Sequence, residues 1–200
     1  MAQGCRDYGY SWIGIGALHE ASHAVVARFL GLPFREATVD RRRVCGLAKR
    51  IYLDSGFRPV SAFALFWDPF PGVTDVEFPA LGPGVMSHPA GRRHLDDWLI
   101  TVLAGYEAER QFGFHGGDLD LAKAAKAASE CLGGDGSLGR AYAEDLCDTA
   151  RAIITDPWVS AAIDQVGLSL WERSTLTMEE VDGILGAVSV SARCHPAQIR

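Results

Sequence analysis

From Ser11 to Leu30 the apolar residues Ile15, Leu18, Val25, Val26 and Phe29 fall at helical spacing, and Gly31 followed by Pro33 supplies the stop. This pattern predicts a first helix over 11–31. Ala37 to Val44 and Leu47 to Leu53 carry β-branched residues on either side of Arg41 to Arg43 and Gly46, which reads as two short strands joined by a basic turn, a small N-terminal sheet within 37–60. Pro59, Pro69, Pro71, Pro79, Pro83 and Pro89, with repeated glycines, break any long element between Phe57 and Gly91, so this stretch is expected to be a long loop. Its aromatics Phe63, Phe66, Trp67, Phe70 and Phe78 either pack on the core or form a lid or partner surface.

Beyond the loop the helical period returns and holds to about residue 188. Arg92 to Phe112 turns Leu95, Leu99, Val102, Leu103 and Tyr106 inward, and after Gly116-Gly117 a further helix is expected from Asp118 to Leu132. The glycine-rich Gly133 to Gly139 reads as a loop. Helices follow from Leu138 to Ile154, Pro157 to Arg173 and Met178 to Val188, with Pro157 at a first helical position and Thr177 with Glu180 as a capping box. The expected fold is α+β and mainly helical: one domain over 1–200, with a small N-terminal sheet and a C-terminal helical bundle over 92–188.

Composition removes several classes. A chain of 200 residues with 48% hydrophobic and 22% charged residues has the balance of a globular domain with a proper core. Nineteen Lys and Arg against 25 Asp and Glu leave a net charge of −6, which gives no support to a phosphate-tracking surface, so nucleic acid is not an expected partner. The five cysteines are odd in number, scattered and never paired as C-x-x-C, which argues against a disulfide framework or a thiolate zinc site and fits a reducing, cytoplasmic setting. The apolar stretch Trp12 to Leu32 is interrupted by His19, Glu20, His23 and Arg28 and lacks the marks of a signal peptide, so no membrane span is expected there.

The chemistry is concentrated in His19-Glu20-Ala21-Ser22-His23, an H-E-x-x-H sequence on the first helix. Four residues advance a helix by about 400°, so both imidazoles leave one face a turn apart and can meet one cation. Glu20 stands about 100° round from His19, close enough to hold a metal-bound water as general base without filling the coordination sphere. A catalytic zinc needs a third protein ligand, and spacing alone leaves Glu107, Glu109, His115, Asp118 and Asp120 open. At the start of a helix Asp118 reads as a cap, whereas Asp120 could project from the first turn toward the first helix.

At these residues the chain resembles the peptidase domain of the FtsH family of membrane ATP-dependent zinc metalloproteases. Leu18 to Ala27 is similar to the family's H-E-A-G-H-A-x-V-A segment, Arg43 to Gly46 to its strand before the cleft, and Ile100 to Glu109 to its helix ending in G-G-x-x-A-E. Asp120-Leu121-Ala122-Lys123-Ala124 is similar to N-D-L-x-x-A-T, whose aspartate is the third zinc ligand, and Leu170 to Leu185 resembles the closing L-x-E-x-x-T-L-x-x-x-E-I segment. Ser22 stands where the family has glycine, and Leu119 where it has asparagine.

The resemblance implies Zn²⁺ held by His19, His23 and Asp120, peptide-bond hydrolysis with Glu20 as base, and an extended substrate paired with the strand around Cys45, Gly46, Leu47 and Ala48. The substrate would be a peptide or unfolded protein. No G-x-x-x-x-G-K-[ST] occurs in these 200 residues, so they resemble the proteolytic half alone. A separate ATPase partner and a homo-oligomeric state stay open, and the alternative function is a catalytically silent metal-binding adaptor or regulator. Two further patterns are discounted. Gly134-x-Gly136-x-x-Gly139 follows a helix rather than a strand, unlike a dinucleotide loop, and Arg41 to Arg43 reads as a solvated turn.

Overall fold

A computed structural model describes residues 12–40, 73–76, 85–111 and 118–194. The chain is mainly helical with a small antiparallel sheet. Helix α1 (Trp12–Phe29) is followed by strands β1 (Phe34–Thr38) and β2 (Val73–Val76) and a 3₁₀ turn at Val85–Ser87. Helices α2 (Pro89–Gln111), α3 (Asp118–Cys131), α4 (Gly136–Ile154) and α5 (Pro157–Arg173) come next, and strand β3 (Thr175–Thr177) leads into α6 (Met178–Cys194).

Helix α1 is the centre of the molecule. Ala17, Ala21, Ala24, Val25, Val26 and Ala27 are all fully buried, as expected of a helix that is apolar on every side. Small residues let neighbours approach closely: α1 packs mainly against α2 and α5, while α3 lies against α4 and α2. Burying Val25 and Val26 contributes about 1.5–3 kcal/mol each. The helix ends as its sequence requires, with Gly31 at φ +76° and Leu32 N–H donating back to the Ala27 carbonyl at 2.8 Å. Arg28 then ties this end to α6 through a two-pronged pair with Asp182, at 2.7 and 3.2 Å.

The sheet differs from the expected hairpin. Its order is β2-β1-β3, with both pairings antiparallel: Phe34 pairs with Val76 and Thr38 with Val73 on one side, and Glu36 pairs with Thr177 and Thr38 with Thr175 on the other. β1 begins three residues earlier than the β-branched run suggested and ends at Thr38. Expected strand Leu47 to Leu53, with the turn before it, lies outside the described residues. β2 comes from the proline-rich stretch read as a loop. β3 holds only three residues between Ser174, which adopts a left-handed φ of 65°, and the next helix, too few for alternation to register. Thr38 secures this edge by donating from Oγ1 to the Ser174 carbonyl at 3.0 Å.

Helix starts follow local chemistry. Asp135 caps α4 by accepting from the Ser137 and Leu138 amides, and Asp156 caps α5 ahead of Pro157. The Thr177–Glu180 box is formed, with Thr177 N–H donating to Glu180 Oε2 at 2.8 Å. Two boundaries depart from expectation. Pro89 opens α2 rather than breaking the chain before it, since a proline at a first helical position loses no hydrogen bond. Gly139 lies inside α4 rather than in a loop, and an added Cβ there would come within 2.5 Å of the Ser129 amide nitrogen, so this glycine brings α4 against the backbone of α3. Cys131 and Cys147 are buried free thiols. No helix among the described residues is long and apolar enough to cross a membrane.

Candidate metal centre

One turn separates His19 and His23 on α1, and their rings meet edge to face with centroids 4.5 Å apart. Their Nε2 atoms are 2.9 Å from each other. Asp120, in the first turn of α3, brings Oδ2 to 3.1 Å from His19 Nε2 and 3.4 Å from His23 Nε2. Glu20 Oε1 stands 3.8 Å from His19 Nε2. His19, Glu20 and His23 each offer a ligand atom within 4.8 Å of the others. The four side chains are 11%, 3%, 10% and 7% exposed for His19, Glu20, His23 and Asp120, so the cluster is nearly dry yet still reaches solvent through the histidines.

The far nitrogens decide which way these rings face. His23 Nδ1 lies 2.8 Å from the Thr101 carbonyl, an acceptor only, so Nδ1 carries the proton and Nε2 presents a lone pair. His19 Nδ1 lies 2.6 Å from Glu109 Oε1, and a carboxylate so close holds the proton on that nitrogen too. Three acceptors, Nε2, Nε2 and Oδ2, thus converge on one point. Such a donor set is repulsive by itself and calls for a cation, either a proton or a metal.

The triangle also has the right size. With sides of 2.9, 3.1 and 3.4 Å, a point about 2.1 Å from all three corners, the usual zinc–nitrogen or zinc–oxygen distance, lies about 1 Å off its plane. Room beside it is provided by Gly105 on α2: an added Cβ would collide with His23 Nε2 and reach 2.5 Å from His23 Cε1 and 2.8 Å from His19 Cε1. The residues therefore fit a divalent ion on size, donor chemistry and space.

Without a metal, a proton takes its place. Burial opposes charge on His19, but the Asp120 and Glu109 carboxylates outweigh it and raise its pKa well above the ordinary 6.5. Burial likewise opposes ionisation of Asp120, yet Lys123 and the two histidines bring its pKa well below the ordinary carboxylate value.

Of the residues singled out in the sequence, His19, Glu20, His23 and Asp120 are brought together. Cys45, Gly46, Leu47, Ala48 and His115 lie outside the described residues, as does the side chain of Asp118, whose backbone opens α3. Glu107 turns away: it is buried and paired with Arg151 of α4 at 2.8 and 3.2 Å. Glu109 meets the far nitrogen of His19, not the convergent point, which places it as an orienting group rather than a ligand. Thr101, Gly105 and Glu109 carry the rings' backing on α2, and they are spaced by four, a one-face signal readable in the sequence. Neither protein-family models nor curated proteins give a match to this chain.

Proposed function

We propose that this protein is a zinc-dependent endopeptidase acting on flexible or unfolded polypeptides, built on an H-E-x-x-H helix of the zincin kind. The observation that carries this reading is the convergence of His19 Nε2, His23 Nε2 and Asp120 Oδ2, with both histidines held in the tautomer that offers Nε2. When bound there, a zinc ion would supply a Lewis acid that polarises a peptide carbonyl and acidifies water at neutral pH.

Glu20 is the proton carrier. Its carboxylate, 3.8 Å from His19 Nε2, lies beside the ligand triangle without being a corner of it. It accepts a proton from the attacking water as oxygen adds to the carbonyl carbon, then passes that proton to the departing amine nitrogen as the C–N bond breaks. Burial of Glu20 keeps water from competing for that proton. Glu109 and Thr101 hold the Nδ1 sides of His19 and His23 and leave each Nε2 for the ion, and Asp120 brings the one negative charge among the three ligands. The resemblance to the FtsH peptidase domain supports the same assignment and adds Cys45 to Ala48 as the segment that pairs with an extended substrate.

A buried peptide bond reaches such a site only after local unfolding. Incubating the zinc-loaded protein with casein, with a stably folded domain and with a destabilised variant of that domain tests the proposal. Casein and the destabilised variant are expected to be cut, the stable domain spared, and all cutting stopped by a chelator and restored by zinc. Metal binding without cleavage of any substrate would favour a metal-binding adaptor instead.

A further inference from the structure

We infer that Lys123 is a positioning residue of the metal centre, holding one oxygen of Asp120 so that only the other faces the ion. The inference rests on the metal-site reading above. Lys123 follows Asp120 by three residues on α3, and its Nζ lies 2.9 Å from Asp120 Oδ1. Oδ2 of the same carboxylate is the atom turned to both imidazoles. The two oxygens of Asp120 are thereby given different work.

Ion pairs one turn apart are common on helix surfaces and contribute little, because both groups are solvated. Arg140–Glu144 and Arg151–Asp148 are of that kind: their carboxylates are 52% and 84% exposed. The Asp120 carboxylate is 7% exposed, while the lysine that meets it is 65% exposed. A carboxylate so nearly buried needs partners for its oxygens. Lys123 brings a solvated charge to the rim and satisfies Oδ1 from outside.

Without this contact the carboxylate can turn about its Cβ–Cγ bond and offer both oxygens to one cation, since carboxylates ligate through one oxygen or two. With it, Oδ1 is engaged and Oδ2 alone is presented. Lys123 therefore sets the number of protein donor atoms at three, which is the count that leaves a catalytic zinc open to a further group. Nothing in the H-E-x-x-H sequence specifies this, because the lysine acts through the third ligand and not through the motif.

The test is a cobalt titration of the metal-free protein, wild type beside Lys123→Met, Lys123→Arg and Lys126→Met. Visible absorption of Co²⁺ is strong with four donors and weak with five, so it reads coordination without any reference to activity. Lys123→Met is expected to weaken cobalt binding about tenfold, the usual scale for loss of an outer partner, and to lower the visible band. Lys123→Arg should restore both, and Lys126→Met, a change to another exposed lysine of the same helix, should alter neither. A wild-type spectrum and affinity in Lys123→Met, or the same change in Lys126→Met, would overturn the role of Lys123 while leaving the metal centre standing. Failure of the wild type to develop a visible cobalt band would overturn the metal centre itself, and the role of Lys123 with it.

Discussion

Replacing Gly105 by alanine adds one methyl group at the point where α2 meets the imidazoles. The new carbon would collide with His23 Nε2 and stand 2.5 Å from His23 Cε1 and 2.8 Å from His19 Cε1, whereas ordinary contact begins at 3.4 Å. Relieving the Cε1 contact moves the ring or the helix by about 1 Å, several times the roughly 0.2 Å that a metal site tolerates. Overpacking of this size costs about 1–3 kcal/mol, and if the histidines absorb it, metal binding weakens about ten- to a hundredfold. Competition with a chromophoric chelator measures that affinity, and thermal unfolding with and without zinc shows how much is borne by the fold. Gly183→Ala and Gly186→Ala are the controls. Both glycines lie in α6 with nothing within 4 Å of the added carbon, so alanine there should stabilise by about 0.5–1 kcal/mol through helix propensity. Wild-type metal affinity and stability in Gly105→Ala would refute the close approach of α2 to the ligand pair.

Single alanine variants of His19, His23 and Asp120 should each lower metal content measured by elemental analysis, whereas Asp118→Ala should retain the metal. Glu109→Gln should weaken metal binding about 10- to 100-fold by loosening the orientation of His19, while Glu107→Gln should leave affinity unchanged and lower the melting temperature by disturbing the pair with Arg151. In the metal-free protein the raised His19 pKa stabilises the fold below 6.5, and this is lost as pH rises through the folded value. The lowered Asp120 pKa stabilises above 3.8, and this is lost as pH falls through its folded value, so together they help most between 3.8 and 6.5. Because a bound metal displaces the His19 proton, the zinc-induced rise in melting temperature should grow with increasing pH.

The H-E-x-x-H helix was legible because four residues of sequence fix the geometry of two side chains without help from the rest of the fold. Caps at Pro157 and at Thr177–Glu180 were legible for the same reason: each is a contact between near neighbours. The sheet was not. β3 is three residues long and depends on β1, 137 to 141 positions earlier in the chain, so its pairing is decided by how α5 packs on α1. The ligand choice among Glu107, Glu109 and Asp120 was likewise beyond local spacing, since it turns on the direction in which α2 presents two acids only two residues apart. Helical rotation sends Glu107 toward Arg151 and Glu109 toward His19. Thr101 acts through its backbone carbonyl, which every residue possesses, and no residue type marks it.

The proposal that this chain holds a metal for hydrolysis while Glu20 moves the proton is tested by measuring bound zinc and casein cleavage on the same preparation of Glu20→Gln, beside the wild type. The amide keeps the size of the side chain, is not a corner of the ligand triangle, and has no carboxylate to accept a proton. One zinc per chain in both proteins, with cleavage by the wild type alone, is the expected result. Cleavage at the wild-type rate by Glu20→Gln, or loss of zinc from it, would contradict the account.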